Sequence, residues 1–586
     1  MRLRTYRHSR NPLPEAHSRD KVALAEHARL RRVLPTRRAL PWRAVFILAA
    51  VVLVISACNG QNDADKQGQP SQVTHKPAAG GIYRRPLGND PASLDPAKIT
   101  DLYAVAVANQ IFDGLVEFDV HLNVVPALAH SWSATRDRLV WTFKLREDVL
   151  FQNGREMIAD DVVYSLSRLL DPAVRSPRSW FLDKVQGAAQ FQAGATQVLE
   201  GIKAIDRYTV QITLAEPFAP FISILGLPHT SIIPREEVER SGEDFAIKPV
   251  GTGAFRLAQW QRGRSIVLDV NPHHFRGRAA LDRVQFVIFP GVAESDMIRA
   301  FERGELEESP IPPDRRKEFF EGKHYTIIRK PTLSLRLIGF NLDRPPFHQR
   351  EIRQAFNHAI DKDRLNQEVQ GGRYVVADGI LPPGMPGYDP EVQAYDYNPE
   401  KARDLLGRAG HAHGHNLPLV TLSTGAKSAE VRREFRIIEQ SMAAVGVELE
   451  LKEYDDWPTF RQVLQHGDFE SFRYTWLADY PDPDNFLYPL FHSQSQTNYY
   501  RYRNPEVDQL LDDARRETDD LQRVKLYRKA EQIILNDALA VMLLHFTYER
   551  AFQPYVEGIE VSALGDPYVP LRKVRLRQTG QTSVRK

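Results

Sequence analysis

The residues with the most evident chemistry lie together in the segment WLADYPDPDN, residues 476–485. Asp479, Asp482 and Asp484 place three carboxylates beside two prolines and a tryptophan. The prolines argue against a regular helix here, because a proline inside a helix removes a backbone hydrogen bond. The segment is compatible with a metal loop, a set of catalytic carboxylates, a surface turn or a clamp for the cationic end of a ligand.

Three histidines form a second candidate cluster, His411, His413 and His415 in the string HAHGH. Imidazoles at this spacing can bind zinc or nickel, although a solvent loop with incidental histidines is the interpretation that we prefer. The acidic segment lacks the glycine and the distant glutamate of an EF-hand loop. The sequence therefore predicts no metal site and no cofactor.

Common catalytic signatures are missing from the sequence: it contains no HExxH, no GxSxG and no GxxxxGK[ST]. The string GTGAF, residues 251–255, has two glycines but no third at the spacing of a nucleotide loop, and it predicts a tight turn. The acidic segment does not exclude a general acid–base pair, but no nucleophile and no oxyanion-binding group accompanies it in the sequence. This balance favours a binding protein over an enzyme.

Charge is distributed unevenly along the 586 residues, of which 42% are hydrophobic. Residues 1–43 hold 12 basic and 3 acidic residues, residues 44–57 hold no charge, and the remainder holds 65 basic and 72 acidic residues. An acidic body argues against nucleic-acid binding. A basic head before an apolar run indicates a targeting segment.

Cys58 is the only cysteine, and it directly follows the apolar run AVFILAAVVLVISA. A single cysteine excludes an internal disulfide and cysteine-ligated zinc or iron–sulfur sites. The string Ile55-Ser56-Ala57-Cys58 resembles the lipobox of bacterial lipoproteins, in which the cysteine is lipidated and becomes the new N-terminus. We therefore expect residues 1–57 to be a lipoprotein signal peptide, with an uncleaved anchor helix as the alternative.

Local patterns divide the rest of the chain into a tether, a folded body and a tail. Residues 58–81 are polar and lack aromatics, which predicts a flexible tether. The body spans 82–577, and residues 578–586 form a disordered tail. Strand patterns in RLVWTFKLRE and YTVQITLAE, and helix patterns in NPEVDQLLDDARRE and LQRVKLYRKAEQIIL, indicate a mixed α/β protein.

Residues 417–454 give the clearest local prediction. Apolar residues recur every three or four positions from Val431 to Val445, which predicts an amphipathic helix closed by Gly446. The strings LPLVTLSTG before the helix and VELELKEY after it read as strands. Together they predict one βαβ unit within a parallel sheet.

A family resemblance covers nearly all of the body, in order. It is carried by the strings NDPASLDPAKI, IFDGLVEFD, VPALAHSW, LVWTFKLREDVLFQNGREMIADDVVYSL, PVGTGAFRLAQW, FNLDRPPFHQREIRQAFNHAIDKDRL, NPEKARDLLGRAG and WLADYPDPDNFLYPLF. With these strings the chain resembles the extracytoplasmic solute-binding proteins of ABC importers, in the family 5 branch of oligopeptide- and dipeptide-binding proteins.

The resemblance implies a two-lobed α/β fold of the type II periplasmic-binding-protein class, with an extra domain and a ligand cleft between the lobes. By position, we expect lobe I at 82–118, 201–340 and 546–577. The extra domain is expected at 119–200 and lobe II at 341–545. Such lobes close on a ligand by hinge motion.

The resemblance also implies a two-ended clamp for a short peptide. Asp479 matches the acid that pairs with the peptide's α-ammonium in family members, and Arg473 matches an arginine that pairs with the carboxylate in some. If the segment is extended, the two lie about 20 Å apart at ~3.3 Å per residue. The main chain at Thr475 and Leu477 then pairs with the peptide as an added strand.

Two more residues complete the predicted site. Leu102, in KITDL, is expected to supply an opposing strand. Trp476 is expected either to line a side-chain pocket or to pack in the core. Asp482 and Asp484 are expected to shape the turn, since aspartate favours turn starts.

The expected partners are a short peptide, an ABC permease and its ATPase, and a membrane reached through the lipid anchor. We expect a monomer in the periplasm or cell envelope, with no nucleic-acid partner. The resemblance does not exclude a different solute as the ligand, such as a nickel complex, an oligosaccharide or haem. A ligand sensor or a secreted hydrolase is the alternative from a different class.

Overall fold

The computed structural model describes residues 80–577, apart from residues 292, 393 and 394. Four predictions therefore lie outside the described residues: the signal peptide (1–57), the lipidated Cys58, the tether up to residue 79 and the tail (578–586). Within the described range, no helix is long and apolar enough to cross a membrane.

Strands occur throughout the described range. They are β1 Ile82–Leu87, β2 Val116–Phe118, β3 Val124–Pro126, β4 Ala129–Ala134, β5 Val140–Leu145, β6 Ile202–Asp206, β7 Thr209–Thr213, β8 Phe255–Gln261, β9 Ser265–Val270, β10 Arg283–Ile288, β11 Glu308–Pro310, β12 Thr326–Pro331, β13 Ser334–Phe340, β14 Val375–Val376, β15 Val420–Thr424, β16 Leu449–Glu453, β17 Ser471–Leu477, β18 Ala540–His545, β19 Thr547–Phe552, β20 Val556–Glu557 and β21 Arg575–Leu576.

Helices alternate with these strands. They are α1 Leu102–Ile111, α2 Ala159–Leu170, α3 Ala188–Gln192, α4 Phe221–Ile224, α5 Arg235–Ser241, α6 Glu294–Glu302, α7 Arg316–Glu321, α8 Arg350–Ala359, α9 Lys362–Gln370, α10 Pro399–Arg408, α11 Ala429–Ala443, α12 Trp457–His466, α13 Asp484–Phe491, α14 Pro505–Arg516 and α15 Asp520–Asn536.

The first lobe is built on two sheets. One has the order β1-β10-β9-β8, with β1 parallel to β10, and the other has the order β11-β19-β12. Helix α1 packs its buried alanines and valines into the core beside the first of these sheets. Because β19 comes from near the end of the chain, the lobe is closed by a segment far away in sequence.

An antiparallel sheet of order β4-β5-β7-β6, covered by α2, forms the extra domain. Its core includes Trp141, Phe143, Val210 and Ile212, which come from the two strands predicted in RLVWTFKLRE and YTVQITLAE. Both strand predictions are confirmed. The boundary that we placed between residues 200 and 201 cuts this sheet, since β6 and β7 pair with each other and with β5. We propose to move it beyond Thr213.

The second lobe contains a mixed sheet of order β14-β18-β13-β17-β15-β16. The predicted βαβ unit is confirmed: β15 and β16 are parallel, with Leu422 opposite Leu451, and α11 connects them. Gly446 follows the helix with φ of 87°, a left-handed conformation that glycine adopts without strain. Strand β13 belongs to this sheet, so we propose that the lobe begins near Ser334 instead of residue 341.

The acidic segment leads into α13, which begins at Asp484 directly after Pro483. Asp482 accepts a hydrogen bond from the Asp484 N–H at 2.9 Å, so the expected turn is present. Both carboxylates are also buried ion-pair partners: Asp482 pairs with Arg523, and Asp484 accepts from Arg515 Nε at 2.7 Å. These two acids therefore tie α13 to α14 and α15, which a turn prediction alone does not anticipate.

Replacing Asp484 by alanine tests this structural role. Asp484→Ala is expected to lower the free energy of unfolding by about 3–5 kcal/mol, because Arg515, which is largely buried, loses its carboxylate partner. Urea unfolding followed by circular dichroism measures the loss. Glu239→Ala, which removes the exposed pair with Arg235, is the matched control and should change stability very little. Equal losses in the two variants would contradict the role of Asp484.

Candidate functional site

A cavity of about 610 Å³ lies where the two lobes and the extra domain meet. The first lobe supplies Leu102 and Tyr548, the extra domain supplies Arg178, and β17 supplies Thr475 to Leu477. Asp479 follows on the same wall. The structure thus brings five of the six predicted ligand-binding residues to one cavity, all except Arg473.

One edge of β17 is open along this cavity. Residues 471–477 of β17 pair with β13, whereas β15 pairs with β17 at Ser471 and Phe472 alone among the described residues. The Ala478 N–H donates to the Leu333 carbonyl at 2.9 Å, which fixes the alternation of the β13–β17 ladder. Main-chain groups of Thr475 and Leu477 therefore point away from β13, toward the open edge.

Asp479 stands at the end of this edge and is held in place through its main chain. Its N–H donates to Asn485 Oδ1 at 3.0 Å, and Tyr568 Oη donates to its carbonyl at 3.4 Å. Its carboxylate accepts a hydrogen bond from Arg178 Nη1 at 3.2 Å, across the junction with the extra domain. The side chains of Asp479 and Arg178 stay 21% and 25% exposed, so a ligand can reach both.

Burial dominates the electrostatics of this corner. It raises the pKa of Asp479, and the adjacent Arg178 guanidinium partly opposes the rise. Burial also lowers the pKa of His229 to about 3, with Arg178 adding to the effect, so this imidazole is neutral at physiological pH. Because desolvation penalises the lone carboxylate, Asp479 gains from a cationic partner.

Trp476 combines the two roles that the sequence left open. Its indole N–H donates to the Asn485 carbonyl at 2.7 Å, and the ring packs against the second-lobe core. It also lines the cavity, together with Tyr374, Trp457 and Phe546. The wall beside the open edge is therefore aromatic and fixed in orientation.

The expectation for Leu102 is corrected in part. Leu102 does line the cavity, but it is the first residue of α1 instead of part of a strand. The Asp101 side chain caps this helix by accepting from the Ala104 N–H at 2.8 Å, and capping by aspartate favours helix over strand. Leu102 therefore offers its side chain to the cavity and no strand edge.

Arg473 has a different position from the one we predicted. It is buried, and its Nε donates to Glu434 Oε1 at 2.7 Å. Glu434, on α11, also accepts from Arg336 Nη1 at 2.8 Å. Burial alone would raise the pKa of Glu434, but the two guanidiniums hold it below its usual value. In this structure Arg473 joins β17 to α11 and does not form the second end of a clamp.

Arg178, His229 and Tyr568 also line the cavity, and no pattern in the sequence predicts this. Arg178 lies 301 positions from Asp479, and the string RSPRSW around it matches no motif. Only the docking of the extra domain brings the two together. Tyr568 also lines a second cavity of about 410 Å³, which contains none of the predicted site residues.

The three histidines lie in a short turn whose central residue, His413, has φ of 55°. Across the described part of the chain, no group of three or more His, Cys, Asp or Glu side chains is placed to hold a metal ion.

Comparisons with known proteins now identify the family. The sequence profile of the bacterial extracellular solute-binding proteins, family 5 Middle, matches residues 123–498. The chain belongs to the family 5 solute-binding proteins of ABC importers. The predicted family is thus confirmed.

The names of its relatives specify different ligands. Heme-binding protein A of Haemophilus influenzae is 30% identical over 89% of this chain and 97% of its own length. Glutathione-binding protein GsiB of Escherichia coli O6:K15:H31 is 28% identical over 77% of this chain and 86% of its own.

A solved structure supports the fold. The periplasmic binding protein DppA from Helicobacter pylori, in complex with the peptide STSA, has a TM-score of 0.73 and 28% identity, and the match covers 86% of this chain and 99% of that one. The predicted two-lobed α/β fold is confirmed, and the family is one of binding proteins.

The corrected position of Arg473 can be tested by mutation. Arg473→Gln is expected to lower the free energy of unfolding by about 3 kcal/mol, because Glu434 loses one of its two buried cations. The affinity for a short peptide, measured by calorimetry on the folded protein, should change by less than about threefold. A large loss of affinity without a loss of stability would return Arg473 to the binding site.

Proposed function

We propose that the protein captures short peptides outside the cytoplasmic membrane and delivers them to an ABC permease and its ATPase for import. One observation carries this proposal: the open edge of β17 beside the cavity, with main-chain groups of Thr475 and Leu477 pointing into it. A peptide backbone can pair with such an edge as an added strand, whatever its side chains are.

The position of Asp479 sets the direction of the proposed peptide. Asp479 follows the C-terminal end of β17, and its carboxylate is the acceptor for the peptide's α-ammonium. The peptide then runs antiparallel to β17, with its first residues opposite Leu477 and Thr475. Trp476 and Leu102 contribute side chains to the walls around it.

A second candidate ligand is a flat aromatic solute such as haem. The supporting observation is the number of aromatic rings that line the cavity: Tyr374, Trp457, Trp476, Phe546, Tyr548 and Tyr568. Aromatic rings can stack on a planar ligand. The open strand edge favours the peptide, because haem has no amide groups that pair with a strand.

The cellular setting is part of the proposal. Cys58 is the site of a lipid anchor that holds the protein, as a monomer, at the membrane of the periplasm or cell envelope. Lipid chains add about 0.8 kcal/mol per buried methylene to membrane binding. The tether after Cys58 gives the body the reach to meet its permease.

Peptide binding is tested by thermal unfolding with a panel of ligands. Tri- to pentapeptides are expected to raise the melting temperature by mass action, and their N-acetylated forms should not, since they lack the ammonium. Asp479→Asn should weaken peptide binding by more than ~1.5 kcal/mol, through loss of a charge-assisted hydrogen bond. If haem, nickel or an oligosaccharide shifts the wild type and no peptide does, the ligand proposal is wrong.

The lipid anchor is tested separately in cells. Cys58→Ser is expected to abolish incorporation of labelled fatty acid. Ser56→Thr, which keeps the cysteine, serves as the control and should stay labelled. Unchanged labelling of the Cys58→Ser protein would locate the anchor elsewhere.

A further inference from the structure

Tyr480 is a second-lobe residue whose side chain lies in the core of the extra domain. It directly follows Asp479, is fully buried, and belongs to the hydrophobic cluster that also contains Trp141 and Phe143. Among the described residues, every other buried member of this cluster comes from residues 97–232. Those residues precede the second lobe in the chain. Tyr480 therefore inserts a side chain of the second lobe into the core of a different unit.

The hydroxyl of Tyr480 connects this core contact to a polar one. It donates to Asp484 Oδ2 at 2.9 Å, and the same carboxylate accepts from Arg515 Nε at 2.7 Å. The Arg515 guanidinium carbon lies 5.4 Å from the centroid of the Phe218 ring. The Arg515 carbonyl accepts a hydrogen bond from the Ala219 N–H at 2.8 Å. The second lobe thus holds the preceding unit through an apolar side chain and through an arginine.

A third contact lies at the rim of this junction. Arg138 Nη2, in the extra domain, donates to the Thr518 carbonyl at 2.5 Å, and Arg138 Nη1 lies 3.6 Å from Asp520 Oδ1. Thr518 lies in the turn between α14 and α15, and Asp520 begins α15. We call these three contacts, which involve Tyr480, Arg515 and Arg138, the clasp.

The clasp lies outside the ligand cavity. Among the described residues that line this cavity, none belongs to the clasp, although Asp479 is the immediate neighbour of Tyr480. A substitution in the clasp therefore removes no group that the proposed peptide contacts.

The path of the chain shows which contacts an opening of the lobes breaks. The extra domain is inserted between α1 and β8, so both of its chain connections lead to the first lobe. The chain reaches the second-lobe sheet between Pro331 and Ser334 and returns between His545 and Thr547. Because the clasp contains no chain connection, a hinge rotation about these two crossings separates its two sides.

Separation of the clasp is unfavourable even in the absence of a ligand. A buried aromatic side chain covers about 150–250 Å² of surface, which opening returns to water. The hydrogen bond from Arg138 is charge-assisted, and such bonds contribute more than bonds between neutral groups. The clasp therefore favours the closed arrangement by contacts that the protein makes with itself.

We propose that the clasp holds the lobes closed and thereby sets the affinity and the lifetime of the bound solute without contacting it. This inference rests on the proposed function, because it describes how the same cavity retains its ligand. Tyr480 is then a positioning residue, which acts through the closed arrangement in which Arg178 meets Asp479. The observed affinity falls in proportion to the fraction of the protein that is competent to bind.

The first test measures closure without a ligand. Spin labels at Lys203→Cys, in the extra domain, and Gln462→Cys, in the second lobe, occupy exposed positions. In the Cys58→Ser chain they are the only cysteines. Pulsed electron resonance is expected to give one narrow distance when the clasp is intact. Tyr480→Ala should add a longer and broader population, whereas Tyr480→Phe, which keeps the ring, should resemble the intact protein.

The second test measures the binding of trialanine by stopped-flow fluorescence of Trp457 and Trp476, which line the cavity. Tyr480→Ala is expected to raise the dissociation rate at least about tenfold, because the closed population falls. The association rate should stay within about threefold, since the ligand enters the open form in both proteins. Arg138→Met removes only the rim contact and should raise the dissociation rate about threefold.

Two matched variants are the controls. Tyr500→Ala removes an equally buried ring from the second-lobe core, so it should lower the melting temperature and leave the label distance unchanged. Arg136→Met changes an exposed residue of the same hairpin as Arg138 and should leave both the distance and the dissociation rate unchanged. If Tyr480→Ala does not fold, the comparison of the two arginine variants decides.

The outcomes separate this inference from the proposed function. If Tyr480→Ala and Arg138→Met keep the distance of the intact protein, or if the distance lengthens while trialanine leaves at the same rate, the inference is overturned and peptide binding stands. If the distance lengthens in both variants but no peptide binds the intact protein, the proposed ligand is wrong and the effect of the clasp on closure is supported.

Discussion

The site depends on one constraint of the second-lobe sheet: the ladder between β15 and β17 ends early. After Thr424 the chain leaves the sheet through Gly425 and Ser428 to start α11. A Cβ on Gly425 would lie 2.7 Å from the Phe460 ring, so the turn requires glycine at that point. Beyond Phe472, β17 thus has a neighbour on one edge only. Backbone N–H and C=O groups need partners, and in the proposed function a peptide backbone is the partner for this open edge.

Charged residues around this edge separate into two groups according to how completely they are paired. Arg473 and Glu434 are buried and joined by two hydrogen bonds, and Asp484 is equally enclosed by its arginine partner. Such pairs fix the edge of the sheet and its connection to neighbouring helices. Asp479 and Arg178 share a single hydrogen bond and remain partly exposed. Their incomplete pairing beside the cavity is what makes them candidates for ligand binding.

Sequence-based prediction succeeds here where the interacting residues lie close together along the chain, and it fails where they lie far apart. The βαβ unit was predictable because its helix period, its glycine and its flanking strands all lie within 417–454. The family resemblance predicted Asp479, Thr475 and Leu477 from one contiguous segment, and the structure places all three on the wall of one cavity. Arg473 was misjudged because its partner Glu434 lies 39 positions away on a different element. Arg178 was missed because its partner lies 301 positions away, and no local pattern records the docking of the extra domain.

Selectivity at such a site must come from the ligand's end, because strand addition is indifferent to side chains. Asp479 is the group at the end of the edge where such selectivity can act. Without a ligand, Arg178 compensates a carboxylate that burial makes costly to charge. Arg178 donates to Oδ2 alone, and Oδ1 accepts no hydrogen bond among the described residues. In the proposed complex the ammonium of the ligand takes this free oxygen while Arg178 stays on the other. One carboxylate then has two cationic partners, and the cost of its desolvation falls further.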